Sequence, residues 1–134
     1  MQDQTVETAR WSVAAFAAFW ARPNPERVAP VLTPDVLGHW PWSSTPVRGV
    51  AEYVNRIAGV IALVPDLRLT VAEHASNGEF TFVRWVMHAT GAAGPFELTG
   101  IDRLRLCAGL VAENIICFDT VQFHAMVGRK PSWS

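Results

Sequence analysis

The first half of the chain alternates helical stretches with breaks that contain proline. Apolar residues recur at helical spacing from Thr5 to Ala21 and again from Val50 to Val64, which predicts two amphipathic helices. Between them, Asn24 and Pro25 predict a short capped helix that runs to about Ala29. Val36 to Trp42 has the character of a short strand that enters a loop rich in Pro, Ser and Thr. The N-terminal half therefore contributes mainly helices.

The second half favours strands throughout. Turn-forming residues separate four apolar segments, which are Leu67 to His74, Phe80 to Thr90, Phe96 to Cys107 and Leu110 to Phe123. Helices followed by a run of hairpins predict an α+β fold in which an antiparallel sheet wraps around the N-terminal helices. A chain of 134 residues fits one domain, spanning 1–134, and the tail from Gly128 to Ser134 is expected to fray.

The composition and the charge of the chain restrict the classes of binding partner that we expect. Half of the residues are hydrophobic and 17% are charged, so some apolar surface should lie in an interface or a cavity. The net charge is −1 and the basic residues are scattered, which argues against nucleic acid. Because no apolar run is long enough to cross a membrane and no signal-peptide core is present, we expect a cytoplasmic protein without a membrane partner.

Cysteine and histidine spacing indicates no metal site. Cys107 and Cys117 lack zinc-like spacing and are expected to be reduced packing residues. His74 and His124 are far apart and have no obvious third ligand.

A carboxylate within an apolar strand face is the strongest chemical signal. Counting by twos, one face of the third strand holds Phe96, Leu98, Gly100, Asp102, Leu104 and Leu106. Apolar surroundings should raise the pKa of Asp102 unless a cation or several donors stabilise its ionised form. Asp102 is thus a candidate proton-transfer group. The structural alternative is an aspartate satisfied by backbone donors or paired with an arginine.

The strand from Phe80 to Thr90 offers two candidate partners for Asp102. Arg84 and His88 share one face of it, but its apolar pattern leaves open which face points inward. Arg84 would keep Asp102 ionised, whereas His88 would form a proton relay with it. Alternatively, Arg84 forms a salt bridge at a dimer face and His88 is solvated.

Further candidates surround the loop that follows the first predicted strand. His39 could position a substrate or act as a base, or be merely hydrogen-bonded. Asp119 is a second acidic residue in a predicted strand and a weaker candidate for the site. Aromatic side chains suited to a ring-shaped ligand are Phe16, Trp20, Trp40, Trp42, Tyr53 and Trp85. We expect two or three of them to face an open cavity, since apolar interiors are normally filled.

The order of several short motifs resembles the nuclear transport factor 2-like superfamily, particularly its SnoaL-like polyketide cyclase and ketosteroid isomerase branches. The motifs are Phe19-Trp20, Pro25-Glu26-Arg27, Leu32-Thr33-Pro34-Asp35-Val36, His39-Trp40-Pro41, Arg48-Gly49, Gly100-Ile101-Asp102-Arg103-Leu104-Arg105 and Gly109-Leu110-Val111-Ala112-Glu113 to Phe118-Asp119. The resemblance implies a cone-shaped α+β barrel with a strongly bent sheet around a pocket, a homodimer formed through the outer face of the sheet, and no cofactor.

Carried over residue by residue, the resemblance places Asp102 where SnoaL-like cyclases have their catalytic acid/base. The base position of the isomerases is occupied by Trp40 and their tyrosine position falls near Phe16, so two isomerase groups are missing. Limonene epoxide hydrolases use an Asp-Arg-Asp set; Arg84 can be matched to it, but Val86 and Ile116 stand at the acid positions.

Together these features predict a SnoaL-like enzyme that performs general acid/base chemistry, a cyclisation or isomerisation, on a small hydrophobic carbonyl compound. The alternatives are a non-catalytic binding protein for a hydrophobic metabolite, an epoxide-hydrolase-like relative, and an interaction protein with a filled pocket.

Overall fold

The computed structural model describes residues 9–128 and has a mixed α+β architecture. Its helices are α1 (Val13–Ala21), α2 (Val50–Leu63) and α3 (Thr120–Val127), with 3₁₀ helices at Pro25–Arg27 and Ala29–Val31. Its strands are β1 (Leu32–His39), β2 (Val47–Arg48), β3 (Arg68–Asn77), β4 (Phe80–Gly91), β5 (Gly94–Cys107) and β6 (Leu110–Phe118).

All six strands form one sheet in the order β2-β1-β6-β5-β4-β3. The hairpins from β3 to β6 are antiparallel, as the turns predict. Strand β1, however, runs parallel to β6, so the expectation of a wholly antiparallel sheet is corrected. The sheet also does not close, because β2 and β3 stand at its two edges. The predicted α+β class is confirmed, and the sheet of the predicted cone-shaped barrel is an open, mixed sheet.

Helix α1 begins later than the periodicity predicts. Ser12 caps it, with its side-chain oxygen accepting a hydrogen bond of 3.0 Å from the amide of Ala15. Residues 9–12 are not helical, and the earlier part of the predicted helix, from Thr5, lies outside the described residues. The helix therefore begins after the capping serine, although apolar residues recur at helical spacing before it.

The last predicted strand is wrong beyond Phe118, where helix α3 follows. Asp119 caps this helix by accepting a hydrogen bond of 3.0 Å from the amide of Gln122, and Gly128 ends it with a φ of 87°. The first strand is shifted as well, since β1 ends at His39. The predicted frayed tail lies, beyond Gly128, outside the described residues.

One face of the sheet packs with the helices into a single core cluster. Buried and exposed positions alternate along β4 and β5, and the buried set includes Val83, Trp85 and Leu104. Phe16 of α1 and Tyr53 of α2 belong to the same cluster. The cysteines do not: Cys107 and Cys117 are free and exposed, which corrects the prediction that both pack inside.

No helix within residues 9–128 is long and apolar enough to span a membrane.

Candidate functional site

A cavity of about 310 Å³ lies between the helices and the inner face of the sheet. Its lining comes from α1, α2 and strands β1, β3, β4, β5 and β6, and it is mostly aromatic and aliphatic. Apart from tryptophan, the polar side chains that line it are Arg27, Tyr53, Asp102 and Asn114. A largely apolar space with a few convergent polar groups is typical of a small-molecule site.

Asp102 lies on the cavity wall, on the inner face of β5 as the alternation predicts, and is 5% exposed. Its Oδ1 accepts a hydrogen bond of 2.9 Å from the indole N–H of Trp85. Its Oδ2 accepts one of 2.9 Å from the side-chain amide of Asn114. No ion pair within the described residues includes Asp102. Burial therefore dominates, and it raises the pKa of Asp102 to about 6 despite these two donors.

The contact between Trp85 and Asp102 depends on a glycine. Gly100 pairs directly with Trp85 across the β4–β5 ladder, and a Cβ atom at Gly100 would collide with the indole ring. Without that Cβ, the ring can lie across β5 and direct its N–H at the carboxylate two residues further on. Gly100 thus positions the first donor.

Asn114 connects Asp102 to helix α2. Its amide nitrogen also donates a hydrogen bond of 3.0 Å to the hydroxyl oxygen of Tyr53. Burial raises the pKa of Tyr53, and the nearby Asp102 acts in the same direction, so the hydroxyl keeps its proton. Among the described residues no acceptor faces this proton. It is therefore available to a group inside the cavity.

The sequence analysis missed Asn114. Counting by twos along β6, Asn114 shares one face with Ala112, Ile116 and Phe118. A polar side chain therefore interrupts an apolar strand face there. The same count by twos that singled out Asp102 would have found it.

The aromatic candidates all lie at this cavity. Phe16, Trp20, Trp40, Trp42, Tyr53 and Trp85 line it, which corrects the expectation that only two or three would do so. Their rings contact neighbouring rings in edge-to-face and tilted arrangements, for example Trp40 edge to face on Tyr53 at 5.1 Å between centroids. Such packing keeps flat faces and ring edges around the open space.

His39 does not reach the cavity. Gly38 holds the inward position, where a Cβ would collide with Trp40, so the side chain of His39 leaves the strand on the outer face. There its Nε2 lies 2.9 Å from a carboxylate oxygen of Glu113, which also pairs with Arg103. The prediction of His39 at the pocket is corrected by the alternation of β1.

Arg84 and His88 also lie on the outer face, opposite to Asp102. Asp102 pairs with Val83, whose side chain is buried, so the next residue points away. Arg84 pairs with Glu73 at 2.6 Å and His88 contacts Glu97 at 3.1 Å. Neither reaches Asp102, because β4 places its Val83 face inward.

Asp119 is exposed and is occupied as the cap of α3. It does not line the cavity. A metal centre is not formed by the described residues either, since residues 9–128 contain no cluster of three or more His, Cys, Asp or Glu side chains that could hold an ion.

Residues 13–114 match the family model of the SnoaL-like domain. The chain belongs to the SnoaL-like domain family. The resemblance to the nuclear transport factor 2-like superfamily and its SnoaL-like branch is thereby confirmed. A comparison with curated proteins found no similar sequence.

Solved structures share the fold of this SnoaL-like domain. A hypothetical protein of Catenulispora acidiphila DSM 44928 with a ketosteroid isomerase-like fold, in complex with trimethylamine, is 18% identical with a TM-score of 0.78, covering 91% of this chain and 95% of its own. IdmH of Streptomyces antibioticus, a candidate polyketide cyclase, is 22% identical with a TM-score of 0.73, covering 87% and 96%. A candidate SnoaL-like polyketide cyclase of Jannaschia sp. CCS1 is 14% identical with a TM-score of 0.75, covering 89% and 92%.

The isomerase positions of this SnoaL-like domain hold side chains without acid/base chemistry. Trp40, which the resemblance places at the isomerase base position, and Phe16, near the expected tyrosine position, both line the cavity. Among residues 9–128, the side chains in the cavity lining that carry an acidic proton are instead Asp102 on β5 and Tyr53 on α2.

Proposed function

We propose that this SnoaL-like protein is a cofactor-independent enzyme that moves a proton on a small, apolar carbonyl compound and so catalyses a cyclisation or an isomerisation. The observation that carries the proposal is Asp102, a carboxyl group on the wall of an apolar cavity with a pKa raised to about 6. A group with such a pKa is close to the optimum for proton transfer near neutral pH.

In the proposed reaction, Asp102 as a carboxylate accepts a proton from the carbon next to the carbonyl group. The electron pair of that C–H bond then forms an enolate, and negative charge develops on the carbonyl oxygen. The hydroxyl of Tyr53 can donate its unshared proton to this oxygen in a hydrogen bond. The enolate can attack a second carbonyl carbon, which closes a ring and leaves an alkoxide that takes the proton from Asp102. Alternatively, it takes that proton back at another carbon, which isomerises the compound, and in both cases Asp102 is a carboxylate again.

Asn114 and Trp85 act as positioning residues in this proposal. The amide of Asn114 donates to both Asp102 and Tyr53 and so fixes the distance between the base and the hydroxyl. Trp85 holds the other carboxylate oxygen. Both donors favour the ionised form of Asp102 and thereby keep its pKa from rising further.

Hydrogen exchange tests this chemistry without knowledge of the substrate. The purified protein, incubated in D₂O with a panel of bicyclic ketones such as 1-indanone and 2-tetralone, should accelerate deuterium uptake at the carbon next to the carbonyl above the buffer rate. Mass spectrometry of the recovered ketones measures this uptake. Ketones that bind without any accelerated uptake would contradict the enzyme and favour the alternative below.

The alternative is a non-catalytic binding protein for a hydrophobic metabolite. It is favoured by the large aromatic lining, which offers ring contacts to a flat ligand, and by the absence of carboxylates other than Asp102 from the lining contributed by residues 9–128.

We also propose a homodimer through the outer face of the sheet. This face exposes large apolar side chains on adjacent strands, with Phe82 43% and Ile101 42% exposed. The register places Arg84 opposite Ile101 and Arg103 opposite Phe82, so charged groups surround the apolar centre. Such a patch is typical of a protein interface.

Light scattering after size-exclusion chromatography should report twice the mass of one chain. Replacing Ile101 by glutamate should yield a monomer, because the new carboxylate would be buried at the centre of the interface. Val121 on α3 is 79% exposed and lies away from the sheet, so Val121→Glu is the matched control and should remain a dimer. A wild-type chain that elutes as a monomer would overturn the proposal.

A further inference from the structure

A groove with three arginines lies beside the cavity. It forms where the loop after α1 meets the turn between α2 and β3. Its lining residues are Ala21, Arg22, Pro23, Asn24, Arg27, Pro65, Asp66, Leu67 and Arg68. We call this the arginine groove.

The cavity and the arginine groove share a wall. Arg27 and Leu67 line both spaces. Arg27 is exposed to solvent, so this residue belongs both to the cavity wall and to the surface of the protein. Arg27 is also the one basic residue that residues 9–128 contribute to the cavity lining.

The arginines of the groove have few anionic partners in the protein. Arg22, Arg27 and Arg68 appear in none of the ion pairs formed within residues 9–128, whereas the sheet arginines Arg84 and Arg103 are both paired. The groove thus presents guanidinium groups whose charge the described residues leave largely unneutralised.

Within residues 9–128, one carboxylate, that of Asp66, lines the groove. Both of its oxygens accept hydrogen bonds from Thr90, at 3.0 Å from the amide and 2.6 Å from the hydroxyl. These bonds lower the pKa of Asp66, and the charge of Arg68 adds to them. Asp66 therefore offsets one guanidinium, and the groove keeps a net positive charge.

Charge also differs between the cavity and the groove that adjoins it. An ionised Asp102 on the cavity wall repels an anion, while Arg27 in the groove attracts one. A ligand with an apolar body and one anionic group is therefore oriented: its body enters the cavity and its anion stays at the groove. The paired N–H donors of a planar guanidinium group match the geometry of carboxylate and phosphate groups.

From this arrangement we infer that the compound on which the enzyme acts carries an anionic group, a carboxylate or a phosphate ester, at the end remote from its reacting carbonyl, and that Arg22, Arg27 and Arg68 bind this group. The inference rests on the proposed function, because it assigns the reacting end of the ligand to Asp102. It makes the arginine groove the determinant of substrate specificity.

A series of naphthyl-substituted alkanoic acids and their methyl esters tests the inference. Each ester keeps the apolar body of its acid and removes the charge, and increasing the alkyl chain length varies the distance between them. Calorimetric titration of the whole protein at low salt should find a chain length at which the acid binds more tightly than its ester. The preference should weaken as salt is added, since exposed charges are screened.

Replacing the arginines should remove this preference selectively. Each of Arg22→Gln and Arg27→Gln should weaken acid binding by about two- to fivefold, as is usual for exposed ion pairs, and the double variant by roughly tenfold. Ester affinity is measured with each variant, so that any change in contacts with the apolar body cancels in the ratio of acid to ester affinity. Arg48→Gln removes an exposed arginine on β2 that lies outside the groove, and it is the matched control.

The inference is overturned if at no chain length the double variant lowers the ratio of acid to ester affinity. That result is independent of the exchange assay, because ketone exchange needs Asp102 and no anionic group. If the protein accelerates ketone exchange but shows no arginine-dependent preference for the acid, only the anion-binding role of the groove is refuted. If it shows the preference but no accelerated exchange, only the proposed enzymatic function is refuted.

Discussion

Replacement of Asp102 by asparagine should slow ketone hydrogen exchange by about a hundred- to ten-thousand-fold, the usual contribution of a positioned acid/base group. Asparagine has nearly the same size, and its side-chain oxygen can still accept the hydrogen bond from Trp85. The variant thus loses the proton acceptor with almost no change in side-chain volume. Rates measured at several ketone concentrations separate this loss from a loss of binding.

Asp119→Asn is the matched control for this experiment. Asp119 is exposed and caps α3, and asparagine is an equally good capping residue, so the exchange rate should not change. In the wild type, the rate of base-catalysed exchange should rise with pH through about 6, the value to which burial raises the pKa of Asp102. An Asp102→Asn variant that exchanges at the wild-type rate would remove Asp102 from the mechanism.

Local patterns predicted β5 well but failed for α3. Strand β5 alternates apolar and polar residues except at Ile101 and Asp102, so its buried face could be assigned from the sequence. Helix α3 contains Thr120, Val121 and Phe123, which favour strands, and its short length hides the helical period. The signals that decide it are Asp119 three positions before Gln122 and the terminal Gly128, a capping pattern that holds eight residues in a helix.

A site residue could be predicted from the sequence only where it interrupts the apolar pattern of a buried strand face. Asp102 was found because it interrupts an apolar face, and Asn114 could have been found in the same way. His39, Arg84 and His88 could not be placed, since both faces of β4 carry apolar residues and the direction of β1 depends on Gly38. Pairing between distant strands decided these orientations, and a single sequence does not contain the register.

Asp102 should also make the protein less stable as pH rises, because burial disfavours its charged form. The pKa of this carboxyl is about 6 in the folded protein, against an ordinary value of 3.8. Between these two pH values the folded chain binds a proton that the unfolded chain has lost, so the free energy of unfolding falls with increasing pH. One pKa unit corresponds to about 1.4 kcal/mol, and the whole contribution to about 3 kcal/mol.

Asp102→Asn lacks this titration. Its free energy of unfolding, minus that of the wild type, should therefore increase by about 2 kcal/mol between pH 4 and pH 7, because the unfolded chain is already partly ionised at pH 4. Urea unfolding of both proteins at a fixed protein concentration measures the difference at each pH, and the other titrating groups cancel because both chains contain them. Asp119→Asn, whose aspartate is exposed, should show no comparable change. If the difference for Asp102→Asn stays constant from pH 4 to pH 7, Asp102 is ionised in the folded protein throughout this range. That result would exclude the raised pKa on which the proposed proton transfer depends.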